Sequence, residues 1–240
     1  MTALVLIPTY NERENLPVIV ERVLRHDNVR ILVIDDGSPD GTGTIADRLA
    51  SEHPGRVSVM HRTGQRGLGR SYLDGFRAAV ASDADFVCQM DADLSHDPRF
   101  LPAMIAAAAA GPGLVIGSRY REGGRVENWP LRRKLLSAFA NSYIRSVTGL
   151  KVRDCTSGYR CWRRAALARL PLNSISSDGY SFLVEVTFLA AASGVQIGEV
   201  PIVFVERRQG ASKLSSSVLI ESLVTPWRLS VTHGRVRQIQ

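Results

Sequence analysis

Two aspartates separated by one residue, Asp91 and Asp93, follow directly on the apolar run Phe86–Met90. Carboxylates delivered together by the end of a strand can share one hard divalent cation. Mg2+ and Mn2+ take oxygen ligands and commonly use one or two carboxylates plus substrate phosphates. Two aspartates in a loop also serve as turn formers, but the preceding strand favours the metal. A second acidic cluster, Asp35-Asp36-Gly37-Ser38-Pro39-Asp40-Gly41, closes another apolar run. Its glycine suits a turn with positive φ and its serine can cap a helix, yet neither role explains two adjacent aspartates. A third cluster, Pro8-Thr9-Tyr10-Asn11-Glu12, ends the first apolar run. Gly64, Gly67 and Gly69 precede a helix, which suits a phosphate-cradling loop or a tight connection.

Such residues act together only if the elements carrying them converge. Ala3–Pro8 reads as a strand and Asn15–Arg25 as a helix with Leu16, Ile19, Val20, Val23 and Leu24 at helical spacing. The alternation continues through Arg30–Asp35, Thr42–Ser51, Val57–His61, Leu68–Ser82, Asp85–Met90, Asp97–Ala110 and Leu114–Ser118. Strands that are apolar throughout, separated by helices of about 10–15 residues, imply βαβ units and a parallel sheet covered on both faces. Ligands of an open parallel sheet bind outside the carboxyl ends of its strands, where all three clusters fall. Unpaired, they would repel one another, so a divalent cation and a ligand with donors to offer are expected there. The second half is less regular. Leu131–Thr148 reads as a basic amphipathic helix, Asp178–Ser193 as another, and Val195–Val205 as an extended strand interrupted by Gly198 and Pro201. Ser215–Thr232 has Val218, Leu219, Leu223 and Val224 as its apolar positions.

The 240 residues fit one domain, and 45% hydrophobic with 22% charged residues excludes a disordered chain. Cys88, Cys155 and Cys161 are too few and too irregularly spaced for a disulfide framework or a zinc site. No window reaches the roughly 18 uncharged apolar residues of a membrane span. The run Ala3–Ile7 lacks the basic flank and cleavage site of a signal peptide. Charge is uneven: residues 1–118 carry 11 Lys+Arg against 15 Asp+Glu, and residues 119–240 carry 19 against 8. An acidic half suits a bound cation, and a basic half suits phosphates, anionic lipid or nucleic acid. The last is disfavoured by the absence of a recognised motif.

Taken together, Pro8–Glu12, Val33–Ser38, Gly67-Leu68-Gly69 and Asp91–His96 resemble the inverting glycosyltransferases of family 2, with a nucleotide-binding GT-A fold. Gly117-Ser118-Arg119-Tyr120, Ser157-Gly158-Tyr159-Arg160 and the stretch Arg207 to Lys213 narrow the resemblance to the dolichol- and polyprenol-phosphate mannosyltransferases. It covers residues 3–214 in order. It implies an α/β fold, a Rossmann-like, mostly parallel sheet with helices on both faces and a basic, more irregular acceptor side. Residues 1–118 would form the nucleotide-sugar and metal-binding half of the single domain, and 119–240 the acceptor-phosphate and membrane-facing half. Pro8, Tyr10, Glu12 and Asp36 would hold the base and ribose of GDP-mannose. Asp91 and Asp93 would carry Mg2+ or Mn2+, with Ser95 standing where relatives often have a Gln ligand. Arg119, Arg132, Arg207 and Lys213 would gather the phosphates of donor and acceptor. The expected partners are GDP-mannose, a polyprenyl phosphate, a membrane surface bound peripherally from the cytoplasm, and a membrane-embedded protein partner.

The chemistry this implies agrees with the residue types. A phosphate monoester, with a second pKa of about 6, is already an anionic nucleophile at neutral pH. No carboxylate pair of the glycosidase type is required, and His96 reads as structural. Charge neutralisation on the departing diphosphate and alignment of two anions are required, and a metal ion with arginine forks supplies both. Glucose from UDP-glucose on the same acceptor is the nearest alternative. A non-catalytic Mg2+-binding receiver domain would need an Asp ending the third strand, which here ends near His61. Trp129 and Trp227 suit either a lipid interface or the core.

Overall fold

The computed structural model describes residues 1–206 and 216–236. Its first half alternates β1 (Ala3–Thr9), α1 (Asn15–Leu24), β2 (Val29–Asp35), α2 (Thr42–Glu52), β3 (Val57–His61), α3 (Leu68–Val80), β4 (Phe86–Gln89), α4 (Leu101–Ala109) and β5 (Leu114–Ser118). There follow β6 (Arg125–Glu127), α5 (Leu131–Thr148), β7 (Arg160–Arg163), α6 (Arg164–Leu167), α7 (Gly179–Ala192), β8 (Ile197–Pro201), β9 (Val203–Val205) and α8 (Ser216–His233). Among the described residues, seven strands form one sheet in the order β3-β2-β1-β4-β7-β5-β8. β7 alone of these runs against its neighbours, pairing antiparallel with both β4 and β5. The fold is therefore α/β with a mostly parallel sheet, as the apolar runs imply.

Both faces of the sheet are covered, which is why its strands are apolar at every position rather than at alternate ones. Leu4, Leu6, Leu32 and Ile34 pack with Tyr72 and Phe76 of α3, Phe182 of α7 and Trp162 of β7. Their strand neighbours Val5, Ile7, Ile31 and Val33 face the other way, against Leu16 and Ile19 of α1, Ala46 of α2 and Met104 of α4. The strands between carry their carboxyl ends, and the loops after β1, β2 and β4, to one edge.

Two parts of the second half depart from the sequence reading. The extended run expected over Val195–Val205 divides at Ile202: β8 joins the main sheet beside β5, and β9 pairs with β6 in a separate two-stranded sheet. Ile202 makes the switch by donating its N–H to the Ser118 carbonyl and accepting from the Arg125 N–H. β7 was not expected at all; it is four residues, Arg-Cys-Trp-Arg, with charged ends.

Candidate active site

The loop after β2 separates the two adjacent aspartates by role. Asp35 builds the turn: its carboxylate accepts from the Ser38 N–H at 3.2 Å, the Ser38 hydroxyl at 2.6 Å and the Thr9 hydroxyl at 3.3 Å. Asp36 lines a cavity of about 510 Å3 at the strand ends. Its carboxylate accepts from Arg62 and, at 2.8 Å, from the Gly67 N–H at the start of α3. Arg62 also reaches Asp74 at 2.8 Å, so a buried guanidinium fixes Asp36 from behind. Pro8, Tyr10 and Glu12 line the same cavity. Tyr10 accepts a hydrogen bond from Arg66 at 2.9 Å, and the Arg66 guanidinium lies 4.8 Å from the Tyr10 ring centre. Glu12 accepts from Asn15 at 2.8 Å, and its N–H donates to Thr42 at 3.0 Å.

Asp91, Asp93 and Ser95 also face this cavity. Asp93 Oδ1 accepts from both the N–H and the hydroxyl of Ser95, at 3.1 and 2.6 Å. Between them Leu94 adopts φ +64, a left-handed conformation uncommon for a bulky residue and characteristic of constrained functional turns. The Asp91 N–H donates to His96 Nδ1 at 3.1 Å, and the Tyr72 hydroxyl donates to Asp91 Oδ1 at 3.3 Å. Burial, then the charge of Asp91, pushes the Tyr72 phenol well above its ordinary pKa, so it remains a donor. No group of three or more His, Cys, Asp or Glu among the described residues could hold a metal ion alone. Two carboxylates opening on a cavity of nucleotide size instead fit a cation that completes its shell with phosphate oxygens.

A second cavity of about 530 Å3 adjoins the first and shares Leu68, Asp91, Arg133 and Phe204 with it. Its lining is mainly apolar, including Leu136, Phe139 and Tyr143 of α5 and Leu223 of α8. Arg119 lines this second cavity and not the first. Its guanidinium grips buried Asp154 in a fork, at 2.8 and 2.7 Å, and donates to Thr156 at 2.8 Å. The rings of Trp129 and Phe204 lie 5.5 and 5.6 Å from it. Trp129 is buried, whereas Trp227 is exposed. Arg132 is exposed and lines neither cavity, whereas its neighbour Arg133 lines both. Arg133 stacks 4.2 Å from the Trp129 ring centre and pairs with Glu206. Arg207 and Lys213 lie outside the described residues.

The remaining motif residues build the frame. Arg160 is wholly buried, and donates to the carbonyls of Ser157 at 2.8 Å, Leu183 at 2.9 Å and Cys155 at 3.2 Å. It thus ties the loop before β7 to α7; burial lowers its pKa to about 10, still charged at neutral pH. Besides Arg133, the sequence reading missed Arg66, Ser71, Phe204 and Glu206 as cavity residues. Arg66 lies between Gly64 and Gly67 in the loop that was singled out, which was the one signal pointing to it.

Residues 4–170 match the profile of Glycosyl transferase family 2. A polyprenol monophosphomannose synthase of Mycolicibacterium smegmatis is 48% identical over 98% of this chain and 91% of its own. An undecaprenyl-phosphate mannosyltransferase of Micrococcus luteus is 45% identical over 96% of this chain and 95% of its own. Among solved structures, a mannosyltransferase of Pyrobaculum calidifontis in complex with GDP-Man and Mn2+ superposes with a TM-score of 0.64. That likeness, at 19% identity, spans 98% of this chain and 65% of the other, and shows a shared GT-A fold.

Proposed function

This chain belongs to glycosyl transferase family 2, and we propose that it transfers mannose from GDP-mannose to a polyprenyl monophosphate, with inversion at the sugar carbon. The observation that carries this reading is the pair of adjoining cavities, one with carboxylates and one apolar, meeting at Asp91 and Arg133. A nucleotide sugar fits the first and an isoprenoid tail the second, which brings the departing diphosphate and the attacking phosphate to the shared wall. The names of the two relatives, a polyprenol monophosphomannose synthase and an undecaprenyl-phosphate mannosyltransferase, support the same pair of substrates.

Pro8, Tyr10, Glu12 and Asp36 bind the nucleoside, and Asp91 and Asp93 hold Mg2+ or Mn2+ against the diphosphate. When bound, the cation supplies Lewis-acid neutralisation of the departing GDP. The acceptor phosphate attacks the anomeric carbon as an anion, one C–O bond forming while that to GDP breaks, and no protein base takes a proton. Arg133 lies where the two anions converge and offsets their repulsion. Trp129 Nε1 and Ser181 Oγ are buried, find no hydrogen-bond partner among the described residues and line the second cavity. They are donors suited to an acceptor phosphate. Arg207 and Lys213 are assigned to the same phosphates from their sequence motif. Among the described residues no helix is long and apolar enough to cross a membrane, and we assign the protein a peripheral site on the cytoplasmic membrane face, alone or with a membrane-embedded partner.

Incubation with polyprenyl phosphate and radiolabelled GDP-mannose should move label into the lipid extract, and excess EDTA should abolish it. Transfer from UDP-glucose alone, or full turnover in EDTA, would overturn the donor or the metal assignment.

A further inference from the structure

We propose that Tyr72 is a positioning residue for the cation site, its buried hydroxyl holding the Asp91 carboxylate in the orientation in which a divalent cation meets it. The proposal rests on the reading of Asp91 and Asp93 as the protein ligands. Asp91 is held at both its backbone and its carboxylate. His96 Nδ1 accepts from its N–H at 3.1 Å, and His96 is itself buried, stacked 5.0 Å from the Tyr159 ring and edge-on to Phe204 at 5.6 Å. That fixes the backbone, and the same Nδ1 stands 3.7 Å from Asp91 Oδ2. The Tyr72 hydroxyl donates to the other oxygen, Asp91 Oδ1, at 3.3 Å and holds that side of the carboxylate.

The Tyr72 ring cannot follow the carboxylate if the carboxylate moves. It is 0% exposed and stacks on Phe76 at 6.2 Å and Phe182 at 6.0 Å. Packing alone would be served by phenylalanine, which spares the cost of burying a hydroxyl. A hydroxyl so buried has to find a partner, and the partner here is a candidate metal ligand. Tyr72 stands on α3, whose N-cap, Gly67, supplies the N–H that binds Asp36. One rigid helix therefore sets both the nucleoside carboxylate and the cation carboxylate. Groups that orient metal ligands from behind typically contribute 10- to 100-fold in affinity.

The test is a Mn2+ titration of the full chain with GDP present, free Mn2+ being read by electron paramagnetic resonance. Tyr72→Phe should bind Mn2+ about tenfold more weakly than wild type, with GDP affinity in the absence of metal unchanged. Phe76→Leu, which disturbs the same aromatic cluster without touching Asp91, should lower the melting temperature and keep wild-type Mn2+ affinity. Equal Mn2+ affinity of Tyr72→Phe and wild type, or equal losses in both variants, would overturn the proposal. Absence of Mn2+ binding by wild type would instead overturn the assignment of Asp91 and Asp93, and the role of Tyr72 with it.

Discussion

Arg133 and Arg132 are adjacent and chemically identical, and only Arg133 lines the cavities. A charge-assisted contact to phosphate contributes about 1.5–3 kcal/mol, which is roughly tenfold to a hundredfold in rate. Arg133→Ala should therefore lower kcat/KM by about that factor, and Arg132→Ala should stay within about twofold of wild type. Steady-state kinetics with GDP-mannose check both; equal losses would remove Arg133 from the site. The sequence offers three successive cations, Arg132-Arg133-Lys134, and a helix turns each by 100° from the last. Choosing among them requires knowing which face of α5 is buried, and the apolar pattern misleads. Leu131, Leu135, Leu136 and Phe139 are exposed, while Asn141, Ile144 and Thr148 are buried. Arg119 shows the same limit in another form. Its motif marks an arginine at a strand end, but the carboxylate that grips it, Asp154, lies 35 residues further on, in a loop with no periodic signal. Removing one partner of such a buried pair leaves an uncompensated charge, so the conformation of the Arg119 loop depends on Asp154. By contrast, Pro8, Tyr10, Glu12, Asp36, Asp91 and Asp93 could be placed along one cavity from sequence, because each stands at or just beyond the carboxyl end of an apolar strand and a parallel sheet brings such ends together.

At the scale of elements, α3 and α7 meet through one carboxylate. Asp178 accepts from the Gly69 N–H at 2.6 Å and from the Gly179 N–H at 2.7 Å. This closeness is what makes Gly67 glycine: a Cβ there would sit 1.8 Å from the Asp178 carboxylate, at φ +155. Gly67→Ala should displace Asp178, cost about 1–3 kcal/mol in overpacking, and weaken GDP binding through the Gly67–Asp36 bond. Thermal unfolding and GDP calorimetry read the two effects, and wild-type values in both would show that the loop tolerates a side chain. The glycine spacing identified this loop, yet not its reason, because the opposing residue, Asp178, caps a helix more than 100 residues further along the chain. Separation in sequence also hid β7. Four residues with charged ends carry no period, and the strand exists because β4 and β5 leave room between them for a strand that pairs with both. Pro201 marked a break in the run Val195–Val205, and β8 does end there, but nothing local to the sequence says that the two halves join different sheets. Local periodicity settled α1 to α4 and their strands, where neighbours in sequence are neighbours in space.

On the whole molecule, exposed apolar residues of α5 and α8 stand where the second cavity opens. Phe139 and Leu223 line the cavity and are also 65% and 54% exposed. Leu131 and Leu135 on α5, and Val224 and Trp227 on α8, are exposed as well, and the Tyr143 hydroxyl joins the helices by donating to the Leu223 carbonyl at 2.7 Å. Exposed apolar residues on two joined helices suit an interaction site, and the half of the chain that carries them is basic, with 19 Lys+Arg against 8 Asp+Glu in residues 119–240. An isoprenoid tail kept in a bilayer could reach the cavity only if this face approached the headgroups, with Trp227 at the boundary. Two forces of different salt dependence would then act. Each Lys or Arg near an anionic surface contributes about 1 kcal/mol, an attraction that fades near roughly 0.5 M salt as the Debye length falls to about 4 Å. Insertion of Leu135 and Phe139 contributes up to about 1.5–3 kcal/mol each and is not screened. Sedimentation with vesicles separates the two. Binding to anionic vesicles should be strong at low salt and largely lost near roughly 0.5 M. The double change Leu135→Asp and Phe139→Asp should weaken it at every salt concentration while leaving GDP binding intact. Equal binding to neutral and anionic vesicles would reject the electrostatic part, and wild-type binding by the double variant would reject insertion through this face. If no vesicle is bound at all, the apolar face has a protein for its partner, and a membrane-embedded subunit must deliver the lipid.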